Sequence, residues 1–375
     1  MARIPPGVRR ADIYTRTGPN SRCSESSIRA AVHLMGGTGV QRARRFRRAR
    51  RLRSERRGVV AVIGTLLALL VFFALFGIFL TQYVPLWMTE NEAAFTSQAA
   101  SSFAQFKSDV DSQYVLDAPP VLGAPFTISS QGVPLIAQPT QGVLNFLPQT
   151  CPGGFYTTLN GGSPSNYGQP VNPAFCIFEN QTIKPAFGGH NSLSFQIPTG
   201  ILEMILPNRY YSSETFIYEA DGVIQMQTGG FQIMAYAPPL NLTRLAGNTT
   251  VTSSFLQLYG NATTVAGQGS EEVYSHLKFA QPLSYNGYNA TAHVFRAFNY
   301  TFEIGTEFPC AWSSFLWHQL NVSAIPSSQF SYTPYSGSCN NVNGATSVLT
   351  LSLTAVNYVS LFYAGTQVSV GIGSS

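Results

Sequence analysis

From Gly58 to Tyr83 the chain reads GVVAVIGTLLALLVFFALFGIFLTQY, with no charged side chain. Coiled as a helix rising about 1.5 Å per residue, Val59 to Leu80 spans about 33 Å, the thickness of a bilayer's hydrocarbon core. The run therefore predicts one membrane-inserting helix. The two flanks differ sharply in charge. Residues 1–57 hold 16 Arg, no Lys and three acids (Asp12, Glu25, Glu55), a net of +13, whereas the remainder holds 6 basic and 14 acidic residues, a net of −8. Basic residues stay on the cytoplasmic side. The N-terminus is thus expected in the cytoplasm, and the bulk of the chain outside the cell membrane.

The arginine block QRARRFRRARRLRSERRG, Gln41 to Gly58, has two chemistries open to it, phosphates of nucleic acid or anionic headgroups of the inner leaflet. Its position beside the apolar run favours the headgroups and a topology signal, so no nucleic-acid partner is expected. Residues 1–40 are rich in Gly, Pro, Ser and Arg without periodicity, which is the composition of a disordered leader. Met35 is an alternative start. A cleaved secretory signal has a shorter apolar core and a small-x-small site, whereas this run ends in Gln82, Tyr83, Val84, Pro85, Leu86 and Trp87. Tyr83 and Trp87 suit the outer headgroup level instead.

Arg56, Arg57 and Gly58, followed by Val59, Val60, Ala61, Val62, Ile63 and Gly64, resemble the class III signal of archaeal type IV pilins and related pilin-like surface proteins. The resemblance implies cutting between Gly58 and Val59 by a prepilin peptidase and assembly with other pilin-like subunits. An ordinary signal anchor, uncut, is the alternative. Asn208, Arg209, Tyr210 and Tyr211, then Phe216, Ile217, Tyr218, Glu219, Gly222, Val223 and Ile224, resemble a segment recurring in uncharacterised archaeal pilin-like membrane proteins. That second resemblance implies location and architecture, and no chemistry.

Beyond the apolar run, Phe95, Ala99, Phe103, Phe106, Val110 and Tyr114 recur at helical spacing among Gln, Ser, Asp and Glu. The stripe suits either a filament core or docking onto the chain's own β-domain. Pro85 predicts a kink near the membrane surface.

From Ala118 the texture turns to Pro, Gly, Ser, Thr and aromatics in short runs. Leu349, Leu351 and Leu353 alternate with Thr350, Ser352 and Thr354, and Val294, Phe298, Tyr300, Phe302 and Ile304 mark another strand region. Asp221-Gly222 is expected to form a two-residue hairpin turn, with Gly229-Gly230 as a second turn. The predicted fold is α+β: a leader over 1–57, a transmembrane helix over 58–84, an amphipathic helix over 85–116, and a sandwich-like antiparallel ectodomain over 117–375. A sub-boundary would fall near 238–240.

Cys23 lies on the cytoplasmic side, and Cys151, Cys176, Cys310 and Cys339 lie in the ectodomain. Four cysteines allow three pairings, of which nearest neighbours, Cys151 with Cys176 and Cys310 with Cys339, are preferred. Seven Asn-x-Ser/Thr sequons, at Asn180, Asn241, Asn248, Asn261, Asn289, Asn299 and Asn321, suit a glycosylated surface.

No nucleophile elbow, zincin motif, phosphate loop or dinucleotide fingerprint is present. His190, His276, His293 and His318 lack ligand spacing, and Glu271-Glu272 is an adjacent, solvated pair. A glycosidase pair drawn from Glu203, Glu219, Asp221, Glu303 and Glu307 is the one enzymatic arrangement left open. The expectation is no enzyme, no cofactor and no metal. A pilin-like structural or adhesive subunit fits best, with a non-polymerising single-pass adhesin or receptor as the alternative.

Overall fold

The computed structural model describes residues 60–114, 120–134, 136–148, 156–159, 177–185, 193–245, 247–289, 294–339 and 346–371. It comprises two compact units, Met1–Phe73 and Ala74–Ser375. In the first unit, residues 60–73 are α-helical and exposed at every position.

The second unit opens with helical residues, passes through a π-helical turn at Phe79–Tyr83, and continues as α1 (Val84–Gln113). The π-turn is where the helix absorbs Pro85. That ring removes one backbone N–H and crowds the carbonyl four residues back, so the preceding turn widens. A π-helical turn stands just before Pro85, where the sequence predicts a kink, and the helix carries on to Gln113.

Eighteen strands are defined among the described residues. They are β1 (Leu122–Thr127), β2 (Val143–Leu147), β3 (Tyr156–Leu159), β4 (Phe178–Pro185), β5 (Leu193–Pro198), β6 (Ile201–Leu206), β7 (Glu214–Glu219), β8 (Gly222–Gln227), β9 (Phe231–Tyr236), β10 (Asn241–Leu245), β11 (Asn248–Gly260), β12 (Thr263–Ala266), β13 (Ser270–Asn286), β14 (Tyr288–Asn289), β15 (Val294–Phe295), β16 (Phe298–Thr306), β17 (Phe330–Tyr332) and β18 (Ser347–Val370). A second α-helix, α2 (Pro309–Val322), lies between β16 and β17. Ten strands form one sheet on the path β1-β13-β18-β16-β4-β5-β3, and six form another in the order β12-β2-β6-β7-β8-β9.

The 24-residue β18 is the spine of the larger sheet. Its first half pairs with β16 and β17, and its second half with β13 and β11. Leu349, Leu351 and Leu353 are buried as the alternation requires, and the phase shifts at Ala355, which takes φ +61°. Pairing is antiparallel except between β11 and β18, which run parallel from Thr249/Val356 to Gly260/Val368. The all-antiparallel expectation is corrected there, because the two strands are separated by enough chain for a crossover.

Two apolar cores result. The first lies between the two sheets and α2, and includes Ile201, Ile217 and Ile224 of the smaller sheet with Ile183, Phe302, Leu351 and Trp312. The second lies on the other face of the smaller sheet, where α1 closes it. β6 and β7 are therefore covered on both sides, and every residue of β7 is buried. α1 and the β-strands belong to one compact unit.

Candidate membrane anchor and helix-docking site

The helix Val60–Gln113 contains the one segment, among the described residues, long and apolar enough to cross a membrane, and none of its most apolar 18-residue window is buried. Such a surface is costly in water and suits hydrocarbon. The first buried residue of the helix is Val84, which is 5% exposed, and from there one face of α1 is buried.

That face is built from the apolar stripe. Phe95, Ala99, Phe103, Phe106 and Val110 are at most 1% exposed, so the stripe serves docking onto the chain's own sheets. Aromatic rings form the seam. Phe103 meets Phe126 edge-on at 5.1 Å and stacks on Phe216 at 5.9 Å, while Phe106 meets Tyr218 edge-on at 5.1 Å. Edge-to-face pairs of this kind contribute about 0.5–1.5 kcal/mol beyond their buried area.

Three polar groups lock the register of α1. Glu92 is wholly buried, and its carboxylate accepts the backbone N–H groups of Arg209, Tyr210 and Tyr211 at 2.7–3.1 Å as well as the Thr140 hydroxyl. Burial works against its charge, but these four donors outweigh burial and hold the carboxyl below its ordinary value. Asn208 donates to the Thr96 hydroxyl at 3.1 Å and to the Ser212 carbonyl at 2.8 Å. The 208–211 segment singled out in the sequence is thus a backbone cradle for a helix carboxylate, with Phe216 and Tyr218 supplying the ring contacts beneath it.

In the C-terminal third of α1, Lys107 reaches Asp221 at 3.1 Å and Asp111 at 3.2 Å, and also donates to the Asp221 carbonyl at 2.9 Å. Asp221 additionally accepts the Tyr218 hydroxyl at 2.7 Å and the Ser254 hydroxyl at 3.0 Å. Burial raises the Asp111 carboxyl to about 6, helped by the charge of Asp221 and opposed by Lys107. These bonds explain a correction to the hairpin. The turn residues between β7 and β8 are Ala220 and Asp221, at φ +46° and +63°, and Gly222 instead pairs with Glu219 as the first strand residue. A left-handed non-glycine residue costs about 1–3 kcal/mol, and Asp221's three side-chain donors offset it. Gly229 and Gly230, at φ +106° and +84°, form the next turn as expected.

At the far end of α1, buried Gln113 donates to the Ser275 carbonyl at 2.9 Å and accepts the Leu277 N–H at 2.9 Å. It thereby pairs backbone groups at the bulge between Leu277 and Phe279. None of Glu92, Lys107 and Gln113 was singled out from sequence. The signal available was a charged residue in phase with an apolar stripe, since Glu92 lies three positions before Phe95.

The remaining sequence candidates are dispersed. Gly58, Val59, Cys23, Cys151, Cys176, His190 and His293 lie outside the described residues. Cys310 and Cys339 are joined by a disulfide, with Cα atoms 5.7 Å apart. Asn241, Asn248, Asn261, Asn299 and Asn321 are exposed, whereas Asn180 is half-buried, donating to Glu303 at 2.8 Å and accepting from Ser194 at 3.1 Å. Asn289 lies in β14, and its side chain is outside the described set.

Among the five carboxylates considered for glycosidic chemistry, Asp221 belongs to the Lys107 lock, Glu303 pairs with Asn180, and Glu203 accepts from Asn145 at 3.2 Å. Glu219 is fully buried without a hydrogen bond among the described residues; burial raises it to about 8, and the charge of Glu307 adds to the effect. The Thr306 hydroxyl and Trp312 indole lie near enough to oppose the shift, but form no hydrogen bond of normal geometry with it. Glu307 is itself raised, by burial and then by Glu203. His318 is exposed, as is Glu272, which sits beside the Tyr274 hydroxyl, whereas His276 and Glu271 are half-buried. Among the described residues no group of three or more His, Cys, Asp and Glu is placed to hold a metal ion.

Compared with protein-family models, curated proteins and solved structures, the chain matches none.

Proposed function

We propose that the chain is a pilin-like structural or adhesive subunit of a cell surface, held by one N-terminal transmembrane helix with the β-rich unit outside. The observation that carries this reading is the division of labour along one helix. Residues 60–83 offer a long uncharged surface with hardly any cover, while α1 is fixed to the β-unit by a ring seam and three buried polar locks. A helix that merely completed a soluble core would bury both halves. The apolar part is exposed along nearly its whole length, a surface suited to lipid or to the corresponding part of another copy once subunits assemble. The β-unit supplies outward surface, with five exposed sequons and a disulfide suited to an oxidising exterior.

The mature N-terminus, measured by mass spectrometry on protein from native membranes, tests the pilin-like reading. A start at Val59, with the protein recovered in sheared filament fractions, supports it. A start at Met1 or Met35 removes prepilin-type processing and leaves a non-polymerising anchored adhesin or receptor.

A further inference from the structure

We infer that the β-unit does not stand clear of the bilayer on its helix but rests on the outer headgroup layer through three loops. The inference builds on the membrane-anchor reading and adds a second lipid contact to it. Its starting point is how far toward the apolar run the β-unit reaches. Val133, from the segment between β1 and β2, packs with Val84 and Met88, and Phe79 and Ala137 lie against the same small cluster. Phe79 belongs to the uncharged run itself, so the β-unit touches the helix at a residue that the hydrocarbon boundary must lie close to.

The two other loops stand at the same end. The Thr89 hydroxyl contacts the Tyr210 carbonyl at 3.4 Å, and Asn91 donates to the Gln131 carbonyl at 2.8 Å, which fixes both the β6–β7 loop and the 131–137 segment to the first turns of α1. The β8–β9 turn joins them, since the Thr228 N–H and hydroxyl both reach the Ser213 carbonyl, at 3.1 and 3.0 Å. At about 1.5 Å per residue, Thr89 lies about 9 Å beyond Tyr83, comparable with the roughly 5–8 Å of headgroup layer on each side of the hydrocarbon.

The side chains at this end suit that layer. Tyr210, Tyr211, Ile136 and Phe231 are 46%, 40%, 41% and 62% exposed, and all are placed on these loops or their borders. On the helix at the same level, Tyr83 and Trp87 are 52% and 41% exposed. Aromatic side chains with a polar tip concentrate at membrane interfaces. Residues 131–142, 207–213 and 228–231 contain one charged side chain, the exposed Arg209, and no carboxylate; the helix carries no charge from Val60 to Thr89, and its first charged residue is the exposed Glu90. The exposed Arg209 among these aromatics complements lipid phosphates, while the Glu92 carboxylate in the same loop's cradle is buried and taken up by backbone N–H groups and the Thr140 hydroxyl.

Depth-dependent fluorescence quenching tests this directly. The full chain is reconstituted in phosphatidylcholine/phosphatidylglycerol vesicles at low protein-to-lipid ratio. One environment-sensitive fluorescent amino acid is placed in turn at Leu70, Ile136, Tyr210, Phe231 or Lys278, with nitroxide on either the lipid headgroup or the acyl chain. Lys278 serves as the distant control, because its neighbour Leu277 is bonded to Gln113 at the other end of α1. The inference expects acyl nitroxide to quench position 70 and headgroup nitroxide to quench 136, 210 and 231 at least twofold more than 278. Quenching at 70, with 136, 210 and 231 no different from 278, overturns the inference and leaves the anchor intact. Protection of these loops that appears only at high protein-to-lipid ratio assigns them to a protein neighbour and likewise overturns it. Absence of quenching at 70 refutes the anchor and this inference together.

Discussion

Removing the Glu92 carboxylate should loosen the helix from the β-unit while leaving the apolar seam in place. Glu92 is fully buried, and its two oxygens collect three backbone N–H groups and a hydroxyl. Hydrogen bonds to a charged group contribute about 1.5–3 kcal/mol each, and each buried donor left without an acceptor costs about 1–3 kcal/mol. Glu92→Ala should therefore cost about 3–5 kcal/mol, and Glu92→Gln about 1.5–3 kcal/mol, because the amide keeps one acceptor but turns an N–H₂ toward other donors. For a unit of this size, 1 kcal/mol corresponds to roughly 2 °C in Tm. The full chain in detergent at pH 7 should then melt about 6–10 °C lower for the alanine variant and about 3–6 °C lower for the glutamine variant.

The sign of the pH dependence follows from the lowered carboxyl. A carboxyl depressed in the folded state contributes stability that is present above its unfolded value, near 4.5, and is lost as pH falls through the folded value. The destabilising effect of Glu92→Gln should accordingly shrink as pH is lowered from 5 toward 3. Melts of both variants within 1 °C of wild type at pH 7, or a Glu92→Gln effect unchanged down to pH 3, would refute the clasp.

Phe103→Ala removes a wholly buried ring between Phe126 and Phe216 and should cost about 3–5 kcal/mol, read as a lower Tm and faster trypsin cleavage within α1. Cys310→Ser opens a loop of 29 residues and should cost about 3–4 kcal/mol, an effect that reducing agent should reproduce on wild type. Glu219, raised to about 8, has the opposite sign to Glu92: between pH 4.5 and 8 the unfolded chain has lost the proton that the folded chain keeps, so stability falls as pH rises. Glu219→Gln should remove that loss and melt higher than wild type at pH 7, by on the order of 3 kcal/mol, with the difference vanishing near pH 4. Equal melts at pH 7 would show that Glu219 is hydrated or paired.

What the sequence disclosed was governed by how many faces of each element meet solvent. The stripe Phe95 to Val110 was readable because the opposite face of α1 stays polar, and β18 was readable because Thr350 and Thr354 alternate outward from Leu349 to Leu353. β7 gives no such alternation: ETFIYE is buried on both sides, so Glu214 and Glu219 are internal and look like surface residues in the sequence. The β7–β8 turn was misplaced by one residue for a related reason. Glycine preference pointed to Gly222, but tertiary bonds from Lys107, Tyr218 and Ser254 hold Asp221 in the turn. The parallel pairing of β11 with β18 joins segments about 100 residues apart, which no local pattern encodes. Glu92 was hidden because a carboxylate on a helix ordinarily signals solvent, and its backbone donors come from the 209–211 segment.

The most direct test of the account is whether the apolar half of the helix is embedded while the β-unit lies outside. Intact cells are treated with protease, membranes are then washed in alkaline carbonate, and the retained peptides are mapped by mass spectrometry. The account expects peptides from 120–371 to be released by external protease and a fragment containing residues 60–80 to resist both treatments. A protein washed free by carbonate, or a β-unit cleaved only after cells are broken, would contradict it.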